Sequence, residues 1–299
     1  MRNTRAPRRR NRKPRRLLLR FLLTLLALVI LVPVIVTALY SFFSPGEIRE
    51  FMATRGSYDD AAWMDARLSP KMFSLDQYWQ ILIVDTSVLK MFTMSVFYTV
   101  MILLGQAVFV PMLAYALSRF RFRLRGAVFA VILLLMLLPY QVTMVPNVLT
   151  LRRMGLLNTV WAVILPMWFA PFYIFLIRQF MAGLPDELFE AAQVDGAGAI
   201  RCYFHIALPV CRPAIGAAIA LSFADCWNLV EQPMTYLSQR AELQPLSVMF
   251  NQLVSQSSGV EFAGAVLYIL PALFIYLYFL EDILSGIQLT ELKYESWHR

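Results

Sequence analysis

Five stretches of this chain, residues 21–46, 91–118, 126–151, 154–177 and 262–280, contain no Asp, Glu, Lys or Arg. A helix needs about 20 predominantly apolar residues to cross the hydrocarbon core of a bilayer, so these runs constrain the fold more than any other feature. A sixth segment, Pro213–Leu237, is long enough but carries Asp225 and Glu231. No strand-like alternation runs far enough to suggest a barrel. Hydrocarbon admits only helices or closed barrels, because every backbone N–H and C=O must find its partner within the protein. The expected fold class is therefore an all-α integral membrane protein with six transmembrane helices.

Charge gives the orientation. The net charge is +8, but residues 1–16 hold nine Lys and Arg and no acid, which leaves −1 for the rest. The basicity is a tail of the kind that keeps a membrane protein's N-terminus in the cytoplasm, not a nucleic-acid-binding face. Arg119, Arg121, Arg123 and Arg125 make the second inside connection basic, whereas the 44–89 loop carries four basic and seven acidic residues. Arg152 and Arg153 fall on the outside against the rule. Six spans then place both termini in the cytoplasm. The uncharged run 21–46 exceeds a signal-peptide core of about 7–15 residues, and no small-residue cleavage site follows, so it reads as a retained helix. The expected organisation is a basic tail at 1–16, a first span at 17–43, an extracytoplasmic loop at 44–89, a five-helix core at 90–290 and a cytoplasmic tail at 291–299. The core includes a long cytoplasmic connection at 181–213.

Several chemistries have no carrier. Cys202, Cys211 and Cys226 lack paired spacing and lie in or beside apolar runs, so they read as free thiols. His205 and His298 do not make a zinc motif, and no metal site is expected. No G-x-x-x-x-G-K-[ST] occurs, so the chain has no P-loop and no cofactor of its own is expected.

The 181–213 connection contains a polar island, Glu190-Ala191-Ala192-Gln193-Val194-Asp195-Gly196-Ala197. Pro185, Asp186 and Glu187 suit a helix start, the acids favouring the positive end of the helix dipole. A first short helix is predicted to end at about Asp195, with Gly196 as its stop. A second runs from about Ala199 to Leu208, closed by Pro209 and Pro213. On the first, Leu184, Leu188, Ala191 and Asp195 share one face and Glu190 projects from another. Small side chains permit close approach of another surface, and a carboxylate can pair with a partner's cation. From spacing alone, an amphipathic connector lying on the membrane surface is an equal alternative.

The pattern Glu190-Ala191-Ala192, three residues, Gly196, nine residues, Ile206, one residue, Leu208-Pro209 resembles the EAA loop of ABC importer permease subunits. Asp195-Gly196-Ala197 and Arg212-Pro213-Ala214 match its extended form in carbohydrate importers, and Gly155-Leu156-Leu157-Asn158-Thr159 resembles the GLxNT stretch of sugar permeases. The resemblance covers roughly residues 90–285 and is closest to the second, six-helix permease of maltose-type systems. The segment Gly286–Lys293 departs from the family's GAVKG-like ending. The resemblance implies an ABC importer permease fold in a bacterial or archaeal cytoplasmic membrane. It implies a coupling element formed by Glu190, Ala191, Ala192, Asp195, Gly196, Ala197, Leu208 and Pro209, with Glu190 as electrostatic anchor. It further implies a second permease subunit, two ATPase subunits that hold the ATP and Mg, and an extracytoplasmic solute-binding protein. The chain itself would not be an enzyme.

On the solute side, Asp225, Asn228 and Gln232 fall at i, i+3 and i+7, one face if the helix is continuous. A carboxylate at membrane depth faces a bundle interior or a watery cavity. Trp227 and Phe223 are candidate platforms for a sugar ring, and Tyr140 and Gln141, beside the expected bend at Pro139 and Pro146, are weaker candidates. The same polar face could instead pack against the partner permease. Two alternatives to a carbohydrate permease stay open: a permease for another polar solute such as an amino acid or phosphate, and an ion-coupled secondary transporter using Asp225 and Glu231.

Overall fold

The structure, a computed structural model, describes residues 13–54, 69–84, 86–248 and 260–280. Most of the basic tail, the 291–299 tail and the divergent 286–293 segment lie outside the described residues. The described residues form helices joined by turns, and the chain divides into two compact units, residues 1–80 with 257–266 and residues 81–256 with 267–299.

In the first unit, α1 (Lys13–Tyr40) carries the apolar N-terminal run, and Leu18 to Val32 expose their side chains, as a lipid-facing helix must. Helix α2 (Pro45–Thr54) and the short α3 (Asp76–Trp79) follow. Tyr40, Phe43 and Ile48 make a small core against Val36 and Phe262. The buried Gln77 holds it: its Nε2 donates to the Tyr40 and Phe43 carbonyls, each at 2.8 Å, and its Oε1 accepts from the Ala263 amide at 3.2 Å. These bonds tie Gln77 to the chain where α1 ends, at a point where the Tyr40 carbonyl also accepts from the Phe43 amide at 3.1 Å.

The second unit opens with α4 (Thr86–Arg119), whose 34 residues make a rod of about 51 Å at about 1.5 Å per residue. That is well beyond the roughly 30 Å of a hydrocarbon core, so one or both ends project from the membrane. The expected single span at 126–151 is two helices, α5 (Arg125–Leu137) and α6 (Tyr140–Arg153), bent by 110°. Leu138 takes an extended ψ of 128° because proline at 139 disfavours the helical region for the residue before it. The fourth span, expected from 154, begins at Val160 and is interrupted at Phe169–Ala170 before Pro171 for the same reason, giving α7 (Val160–Trp168) and α8 (Pro171–Ala182). The loop helices are α9 (Asp186–Val194), α10 (Ala199–Cys202) and α11 (Leu208–Val210), the last two joined by a π turn at Tyr203–Ala207. Pro209, with no N–H and a ring that crowds the carbonyl four residues back, explains that wider turn.

Helix α12 (Arg212–Trp227) leaves the loop at 73°. It ends at Trp227, ten residues short of the expected Leu237, and α13 (Glu231–Tyr236) starts anew. Continued helix would drive Pro233 into the Leu229 carbonyl. Asp225, Asn228 and Gln232 therefore do not lie on one continuous helix. Helix α14 (Glu261–Tyr278) is the last among the described residues. Among the described residues, four helical stretches are long and apolar enough to cross a membrane, and up to six spans result when each bent pair counts as one.

Without a hydrophobic drive between helices in lipid, small residues set the contacts. Ala214, Ala218, Ser222 and Cys226, spaced by four on α12, are all buried. Two cores result: one joins α4, α8 and the loop through Tyr115, Leu117, Ile177, Met181, Phe189 and Tyr203, the other joins α4, α7 and α13 through Tyr98, Ile102, Ile164 and Tyr236.

Candidate functional site

The polar island closes α9. Gly196, at φ +82°, donates from its amide to the Gln193 carbonyl at 3.0 Å, and the Ala197 amide donates to Ala192 at 2.8 Å. This paired arrangement ends a helix with a left-handed residue and satisfies carbonyls that would otherwise be orphaned. It accounts for the spacing Ala192, Gly196, Ala197: the two alanines are the half-buried apolar pair that accompanies such a turn, both packed on the first core. The glycine supplies the positive φ. Gly155 and Leu156 repeat the arrangement at the end of α6, on Arg152 and Leu151 at 3.1 and 2.9 Å. Asn158, also left-handed at φ +63°, then joins the turn to α13's exit: its amide donates to the Tyr236 carbonyl at 2.9 Å, and its Oδ1 accepts from the Gln239 amide at 3.1 Å. The Gly155–Thr159 stretch thus serves a turn.

The face that α9 turns inward is not the Leu184–Leu188–Ala191–Asp195 face. Phe189 is the buried anchor, with Leu184 and Ala192 half-buried beside it, whereas Leu188, Ala191 and Asp195 are exposed. Glu187 and Glu190 are exposed too. Of the remaining loop residues, Leu208 is half-buried on the core and Pro209 exposed. Around the turn, Leu188, Val194, Ile200 and Phe204 present apolar side chains outward, Val194 at 88% and Ile200 at 75% exposure. Acids and apolar side chains are thus exposed together around one turn.

Sequence reasoning missed the residue that fixes this loop. Arg119, the last residue of α4, donates to the Asp186 carboxylate and to the carbonyls of Met181 and Leu184 at 2.7 and 2.8 Å, and its guanidinium lies 4.0 Å from the centre of the Phe189 ring. One turn earlier, the Tyr115 hydroxyl donates to the Ala199 carbonyl at 3.2 Å. Read for topology, Arg119 was one basic charge among four; its spacing of four from Tyr115, on one face at the end of α4, was the available signal.

The second site is an open cleft lined by Met167, Ala224, Asp225, Asn228, Glu231 and Gln232. The helix break after Trp227 brings these groups to one place without a shared helical face. Tyr173 donates to the Asp225 carboxylate, Tyr268 to Asn228 Oδ1 at 2.7 Å, and Gln141 to Glu231 at 3.0 Å. Gln141 thus reaches the rim, while Tyr140 packs with Tyr236 in the second core. The expectation of aromatic platforms is not met in this arrangement. Trp227 and Phe223 are 2% and 7% exposed and stack on each other at 5.7 Å, and Trp227 Nε1 donates to the Tyr268 carbonyl at 3.0 Å. Both are spent on packing. The three cysteines are free and buried.

A family model described as the inner membrane component of binding-protein-dependent transport systems matches residues 107–280, which includes the C-terminal part of α4, the loop and the cleft. The chain belongs to that family. It is 30% identical to the diacetylchitobiose uptake system permease protein of Streptomyces coelicolor over 89% of this chain and 85% of that one. It is 27% identical to the arabinooligosaccharides transport system permease protein of Bacillus subtilis over 76% and 81%. The fold is shared with a bacterial ABC transporter involved in the import of the acidic polysaccharide alginate, at a TM-score of 0.74 and 24% identity, covering 93% of this chain and 99% of the other. The permease is therefore a multi-pass membrane component of an importer that works with a solute-binding protein, a companion permease and ATPases.

Proposed function

We propose that this permease forms half of the translocation pathway of a carbohydrate ABC importer, paired with a second, different permease subunit and driven by two ATPase subunits. The loop at 181–213 is the element that docks on an ATPase, and ATP and Mg are held there, not by this chain. The observation that carries the reading is the exposed tip at Gln193–Gly196, with Val194 at its centre and Glu187, Glu190 and Ile200 exposed around it. An amphipathic connector on a membrane would turn its apolar side chains to one side and its acids to the other; here both flank the same tip. Carbohydrate as the solute is supported by the two relatives whose names describe oligosaccharide uptake and by the cleft's carboxylates and amides, groups that pair with hydroxyls. The positive-inside asymmetry supports a cytoplasmic position for both termini and the loop in a bacterial or archaeal cell, with an extracytoplasmic binding protein delivering the solute.

Glu190→Lys tests the docking reading. It reverses a charge on an exposed position and touches no core contact, so the permease is expected to insert normally while uptake is lost and ATP hydrolysis is uncoupled. Charge reversal on the facing ATPase residue is expected to restore part of the uptake. Normal uptake by Glu190→Lys would contradict docking at this loop.

A further inference from the structure

The loop's attachment to the membrane helices is concentrated on one element. Among the described residues, α4 is the helix that contacts both arms of the hairpin by side-chain hydrogen bonds: Arg119 takes the first arm through Asp186 and Leu184, and Tyr115 takes the second through Ala199. The guanidinium is well suited to this. Its planar fork engages three acceptors at once, which a lysine ammonium cannot reproduce in the same plane. Two of the three, the Met181 and Leu184 carbonyls, lie where α8 ends and the chain turns toward α9, at the negative end of the α8 dipole. The third, Asp186, is the first residue of α9. With its side chain 11% exposed and its flat face on Phe189, Arg119 is held from several sides.

Thirteen residues earlier on the same rod, about 20 Å along its axis, Gln106 makes a second attachment. Its Nε2 donates to the Met167 carbonyl at 2.7 Å, and its Oε1 accepts from Ser222 of α12. Met167 lines the cleft, and Ser222 lies one turn from Asp225. The rod therefore grips the loop at one end and the cleft wall further along.

We propose that Arg119 is the positioning residue that passes the loop's movement to α4, and through α4 to the cleft. This rests on the docking reading above. Arg119 contacts neither the ATPase surface nor the solute; it acts by keeping the hairpin and the rod in one register. Spatial connection alone does not establish coupling, so the test must separate transmission from folding.

The full complex, with its ATPase subunits and binding protein, is reconstituted in vesicles carrying wild type, Arg119→Ala, Arg119→Gln, Arg119→Lys or Glu190→Lys. Assembly, basal ATP hydrolysis, hydrolysis stimulated by the loaded binding protein, and uptake are measured. The expected result is that Arg119→Ala and Arg119→Gln assemble and retain basal hydrolysis, but lose stimulation and uptake by roughly fivefold or more, the range of ordinary coupling effects. Arg119→Lys, keeping the charge, should recover part of both. Wild-type stimulation and uptake in Arg119→Gln, with Glu190→Lys inactive, would overturn the proposal and leave docking intact. Normal uptake in Glu190→Lys as well would show that docking itself is wrong. Loss of the assembled complex in all three Arg119 variants would assign the residue to folding and would equally overturn the proposal.

Discussion

Gly105 of α4 lies against the indole of Trp168: a Cβ built at 105 would stand 2.0 Å from Nε1. The contact joins α4 to the end of α7, and the indole also donates to the Met101 carbonyl at 3.0 Å. Close backbone approach at a glycine is how helices gain dispersion contact in lipid, where burial from water gives no advantage.

Gly105→Ala is accordingly expected to be costly although alanine is the better helix former. The ring must move, at an overpacking cost of about 1–3 kcal/mol. Thermal denaturation of the purified complex should show the loss, and Trp168→Leu should recover part of it in the double variant. Unchanged stability of Gly105→Ala would mean the two helices are further apart than described.

At Gly196 the constraint is of another kind. A Cβ there meets nothing within 4 Å, so space is free and only the backbone angle, φ +82°, restricts the residue. Gly196→Asn, which tolerates the left-handed region, should keep most of the uptake. Gly196→Val should lose it, because a β-branched residue pays more than the roughly 1–2 kcal/mol of an ordinary side chain there. Equal uptake by the two variants would remove the conformational explanation of the glycine.

In the cleft, Asp225→Ala and Asn228→Ala remove groups that line it while leaving Trp227 and Phe223 stacked. Uptake or sugar preference should shift by roughly ten- to a hundredfold, the value of about 1.5–3 kcal/mol for a hydrogen bond to a charged group. Assembly and basal ATP hydrolysis should be unchanged. Loss of assembly would instead assign this face to contact with the companion permease.

Topology has its own test. With Cys202, Cys211 and Cys226 buried, background labelling is low. A cysteine at Arg123 should react only with reagents that enter the cytoplasm, and one at the exposed Met154 with impermeant reagents added outside. Labelling of position 123 from outside would invert the assignment.

Much of this architecture was readable from residue pattern alone. Uncharged runs located the helices because the bilayer imposes a length on them. Pro139 announced the α5–α6 bend, and Gly196 the turn of the loop. What escaped depended on three-dimensional neighbours. The break at Asn228–Val230 follows from Pro233, six residues beyond the last α12 residue, and helical spacing gave no warning of it. Phe189 was hidden because Leu188 beside it looked equally suited to the core. Trp227 and Phe223 resembled sugar platforms by type, and only their mutual stacking shows that their faces are occupied. Arg119 carried a charge that topology already explained, which concealed its grip on Asp186 and Phe189.

The central claim is that the Ala191–Gly196 turn is covered by an ATPase subunit. Val194, 88% exposed in this chain alone, reports on it directly. A cysteine at 194 is labelled with a maleimide in the intact complex and again after the ATPase subunits are stripped from the membrane. Nearly complete protection is expected in the complex, and rapid labelling once the ATPase is removed. Equal labelling in both states would contradict it.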